Sequence, residues 1–111
     1  MKNSNPRSGP VEGQISDLVA IQSGTVVSKE ILKKEGGTVT LFAFDEGQGL
    51  SEHSAPFDAL VLVLEGTAWI HIAGEKHVVR SGEVLVMPAD IPHALDAPEP
   101  FKMMLVMIKS R

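Results

Sequence analysis

The 111-residue sequence contains no cysteine. That excludes a disulfide framework, a thiolate zinc site and a cysteine nucleophile. Basic residues are also scarce. Ten Lys+Arg stand against 14 Asp+Glu, for a formal charge of −4 and a pI near 5.5. This balance argues against nucleic acid or an anionic membrane as the main partner. Long hydrophobic stretches are missing too. No apolar run exceeds that at 59–64, far short of the ~20 residues that cross a bilayer. The first thirteen residues are polar and rich in Pro, Ser, Gly and Asn, without the apolar core of a signal peptide. They read as a flexible tail, 1–13, ahead of one folded domain at 14–111, and the expected location is cytoplasmic.

What is present is mostly β-prone. Runs rich in β-branched, aliphatic and aromatic residues predict strands at 25–32, 38–44, 59–65, 67–73, 76–80, 83–87, 92–96 and 101–109. Gly, Pro, Asp and Ser punctuate them, and such closely spaced short strands indicate a sandwich or barrel. Residues 15–21 place apolar side chains at 15, 18, 19 and 21, which predicts one or two helical turns. Nothing after residue 22 is a helix long enough to cross over between parallel strands. The fold class is therefore all-β with antiparallel pairing. Two runs, 60–64 and 103–108, are apolar at every position rather than at alternate ones. One face of each would fill the interior and the other needs a cover, so a homodimer is expected.

Two stretches carry chemistry. The segment 47–66 holds Gly47, His53 and Gly66, and the segment 82–93 holds Gly82, Pro88 and His93. Gly66 and Gly82 stand where strands must reverse, and glycine reaches positive φ there without steric cost. Pro88 ends a strand. In order and spacing these segments resemble the two motifs of the cupin superfamily, and the likeness extends over about 38–108. The resemblance implies an antiparallel jelly roll, or double-stranded β-helix barrel, with His53 and His93 pointing into its mouth. It also implies a metal set of three histidines and one glutamate. Here the second histidine of the first motif falls on Ala55 and the glutamate on Ala59 or Leu60, while Asp90 stands where the second motif has glycine. His53 and His93 remain, with Asp58 as the third candidate ligand; Glu52, next to His53 in an extended strand, would face the other way. Such a set implies at most a weakly held divalent transition metal, Zn, Fe, Mn or Ni.

Around the two histidines, Phe57, Met87 and Met103 are candidate pocket-lining residues, with Phe42 and Phe44, which share strand parity, as an apolar floor. His71 is expected on the outside of the barrel, because Ile70 and Ile72 are the better core residues. His77 is expected to be solvated. The residues thus point to a protein that binds a small apolar or aromatic molecule, oriented by His53 and His93. The alternative is a metal-dependent oxygenase or isomerase with its metal on His53, His93, Asp58 and water. A third reading, a metal-free isomerase or lyase with a histidine base, lacks a carboxylate to orient the histidine and a basic cluster for a pyrophosphate.

Overall fold

The computed structural model describes residues 10–110. Most of the tail expected at 1–13 lies outside the described residues. Nine strands follow in chain order: β1 (Val26–Lys34), β2 (Gly37–Phe44), β3 (Gly49–His53), β4 (Phe57–Glu65), β5 (Thr67–Ile72), β6 (Glu75–Arg80), β7 (Val84–Met87), β8 (His93–Asp96) and β9 (Phe101–Lys109). All pair antiparallel. They form a five-stranded sheet, β1-β2-β9-β4-β7, facing a four-stranded sheet, β3-β8-β5-β6. This is an antiparallel jelly roll. Eight strands stand where apolar patterning predicts them, within a residue or two at most ends.

The ninth, β3, comes from a stretch (Gly-Leu-Ser-Glu-His) with one apolar residue and no alternation. Its pairing with β8 makes it a strand, since nothing in its own composition does. The helical turns expected over 15–21 reduce to a single 3-10 turn, Ile15–Asp17. The rest of that segment lies against the outer face of the five-stranded sheet. There Val19 is buried with Val27, Leu41 and Ala43. The Lys102 ammonium donates to the Ser16 carbonyl at 2.6 Å. Packing on a sheet flattens a segment whose helical periodicity was never strong.

The core lies between the sheets. Alternation along β4 sends Ala59, Val61 and Val63 inward, and β9 adds Phe101 and Met103. Phe44 stacks on Phe101 with ring centroids 4.5 Å apart and planes 7° from parallel. Both rings are fully buried. Such a pair contributes roughly 0.5–1.5 kcal/mol beyond its area.

Two turns explain motif residues. Gly66 has φ +76°, and a Cβ there would sit 2.3 Å from the Pro100 carbonyl oxygen. Only glycine meets both conditions. Asp90, standing where the second motif usually has glycine, adopts φ +65°. Its N–H donates to the Ala55 carbonyl at 2.8 Å, so the turn after β7 is tied to the loop between β3 and β4. Aspartate is among the few residues that enter this region at modest cost. Among the described residues no helix is long and apolar enough to cross a membrane.

Candidate functional site

The site begins with a bulge. Leu50 of β3 pairs with Leu95 of β8, and His53 pairs with His93, so two residues of β3 oppose one of β8 between them. Leu50 and His53 are three apart and would face opposite sides of a regular strand. The extra residue returns His53 to the inner face. His93 and Leu95 already share that face. The two imidazoles meet edge to face with centroids 4.4 Å apart.

Each ring is held the same way. His53 Nδ1 donates to the Ser51 carbonyl at 2.8 Å, and His93 Nδ1 donates to the Ile91 carbonyl at 3.1 Å. His93 is buried and His53 is exposed, so His53 is the outer of the two rings and His93 the inner.

Behind them is an apolar cavity. Its mouth is formed by Leu50, His53, Ala55 and His93. Phe57, Ala59 and Met87 line one wall, and Leu95, Met103, Leu105 and Met107 complete it. The cavity volume is about 40 Å³. An apolar cavity of roughly 150 Å³ holds benzene. The slot is therefore narrow, and a ring could enter only as methionine side chains, the most adaptable apolar residues, change rotamer.

His53, His93, Phe57, Met87 and Met103 are brought together here. Phe42 and Phe44 are not. Their parity is inward, but Phe44 pairs with Phe101 in register and is sealed in the core, with Phe42 packed on it at 5.9 Å. Phe44 lies at the end of β9 away from the cavity, and Phe42, although opposite Met103, is packed against Phe44 and does not line the cavity. Leu105 and Met107 follow from the parity of Met103, and Leu95 from that of His93, so the sequence held a signal for them. Leu50 carried none, because the bulge breaks its parity with His53.

Asp58 is not brought to the two histidines. On β4 it lies between Phe57 and Ala59, which line the cavity, and so points to the opposite face. There its carboxylate accepts the Ala89 N–H at 2.9 Å. Among the described residues no three His, Cys, Asp or Glu side chains gather closely enough to hold a metal ion. Ala55 and Ala59, which occupy ligand positions of the family pattern, sit in the cavity lining with nothing to coordinate through. Two imidazoles are one short of the three protein ligands usual in catalytic sites. The residues present do not fit a firmly held metal.

The other two histidines lie apart from this site. His71 shares the outer face of the small sheet with Trp69, and its Nε2 is 3.1 Å from Asp96 Oδ2. Lys76 lies 3.5 Å above the Trp69 ring. His77 Nε2 is 3.6 Å from Glu75 Oε1.

A two-sheet jelly roll with paired histidines at one mouth defines a class, and comparison with known proteins gives the family. The model of the cupin domain matches residues 40–109. The chain belongs to the cupin family. It is 36% identical to a conserved protein of unknown function from Streptococcus pyogenes, with a TM-score of 0.88 over 100% of this chain and 97% of that one. It is 40% identical to a cupin 2 conserved barrel domain protein from Leptotrichia buccalis, with a TM-score of 0.83. That match takes in 85% of this chain and 46% of the other, so the present chain spans about half of that longer protein. A cupin superfamily protein from Desulfitobacterium hafniense is 26% identical, with a TM-score of 0.85 over 98% and 99% of the two chains. No curated protein matches.

Proposed function

We propose that this cupin binds a small, largely apolar molecule in the barrel cavity, with His53 and His93 orienting its polar end. The observation that carries the reading is the meeting of two imidazoles, 4.4 Å apart, at the mouth of a cavity otherwise lined by aliphatic, methionine and phenylalanine side chains. Small-molecule sites have this composition: an apolar wall with a few convergent polar atoms. The narrowness of the slot favours a ligand of few heavy atoms.

Thermal denaturation against a panel of small apolar and aromatic compounds, in the presence of chelator, tests this. Ligands that bind the folded state raise the Tm with concentration. Ala59→Leu, which fills the cavity, is expected to abolish that rise relative to its own baseline. A panel in which nothing moves the Tm sinks the proposal. Elemental analysis of protein purified without chelator addresses the metalloenzyme alternative, and the expected content of any transition metal is far below stoichiometric.

A further inference from the structure

The hydrogen bonds on the far side of each imidazole determine what the near side offers. Ser51 and Ile91 contribute carbonyl oxygens, which only accept. Both Nδ1 atoms must therefore carry the proton. A neutral imidazole protonated at Nδ1 presents a bare lone pair at Nε2. Neither Nε2 has a protein partner among the described residues. No buried side-chain nitrogen or oxygen there is left without a partner, so the Nε2 of the buried His93 keeps open surface, on a ring that lines the cavity.

The rest of the lining has nothing to add. It is alanine, leucine, methionine and phenylalanine, without a side-chain donor or a charge. The polar equipment of the pocket thus consists of two acceptors.

We infer that the pocket selects a neutral head group bearing two hydrogen-bond donors, such as an aryl NH2 or a pair of adjacent hydroxyls, on a small apolar body. It discriminates against carboxylates and other heads that only accept. A carboxylate would give up its water and meet two lone pairs, and a polar group desolvated without a partner is costly. An ammonium would enter without a countercharge in the lining. A neutral two-donor head can satisfy both rings at once while its body enters between Met87, Met103 and Met107. This inference rests on the cavity being a small-molecule site.

The test compares three probes of similar size, toluene, aniline and benzoate, titrated into the full chain at pH 8 with chelator present and followed by NMR chemical shifts. Aniline is expected to bind about tenfold or more tightly than toluene, and benzoate most weakly. In His53→Phe, the preference for aniline over toluene is expected to fall severalfold while toluene still binds. Nitrogen-15 spectra of the histidine rings provide a readout independent of any variant: both are expected as the Nδ1–H tautomer.

Toluene and aniline binding equally would overturn donor selection and leave the pocket reading intact. Benzoate binding best, or an Nε2–H tautomer on either ring, would also overturn it. Failure of all three probes to bind would bring down the pocket reading as well.

Discussion

Single residues show where this chain meets the geometry of its family by unusual means. Asp90 occupies a left-handed turn position otherwise suited to glycine, and its N–H bridges to the loop that carries Ala55. Ala73 is the second such case. It has φ +51° and precedes Gly74 at φ +83°, so the two-residue connection between β5 and β6 needs positive φ at both positions. Asn-Gly is the preferred pair for that turn, and alanine there is strained. Ala73→Asn is expected to stabilise the protein by about 0.5–1 kcal/mol, measured as a higher urea midpoint at unchanged m-value. No change would mean that the turn tolerates alanine without strain. Neither Asp90 nor Ala73 reveals its φ in a sequence, because neither is glycine.

At the scale of elements, the strands came mostly from local pattern and the exceptions from tertiary contacts. Apolar runs and turn residues were enough for eight strands. β3 was not legible, because it is polar and is stabilised by β8. Residues 15–21 read as weakly helical and became a strap across a sheet. Val19 is the buried anchor of that strap, so Val19→Ala is expected to cost about 1.5–3 kcal/mol. Equilibrium urea denaturation checks this, and an unchanged midpoint would show the strap to be energetically idle. The site was legible to the same degree. His53, His93, Phe57, Met87 and Met103 could be gathered by motif and parity. Phe42 and Phe44 share the inward parity but do not line the cavity, because they stack on each other and Phe44 on Phe101 in the core.

For the whole molecule, the strap explains only part of the doubly apolar strands. It covers one region of the outer face of the five-stranded sheet. Beyond it, Val39, Val106, Leu60 and Val86 form a continuous cross-strand row, and Leu62 and Val84 stand beside it. Val84, Val86 and Ile108 are each more than half exposed. No charged side chain interrupts the row. An open aliphatic row complements another like itself, and two sheets can pack face to face at about 10 Å. We expect a second copy of this chain to cover it, which would give a two-fold homodimer. Light scattering at micromolar concentration should return twice the 11.9 kDa chain mass, and Val86→Lys should return the single mass. A monomeric wild type would rule the pairing out.

Composition, strand periodicity and turn residues belong to the chain itself. They were sufficient for an all-β antiparallel domain, for its resemblance to cupins and for singling out His53 and His93, because each depends on residues near one another in sequence. The rest depends on residues brought together from far apart. A bulge opposite β8 turns His53 inward. Register with β9 seals Phe44 away from the cavity, and alternation along β4 turns Asp58 out of it. The backbone carbonyls of Ser51 and Ile91 set which nitrogen of each ring carries the proton. Register and hydrogen-bond partners are properties of paired strands, so they were settled only once the sheets had closed.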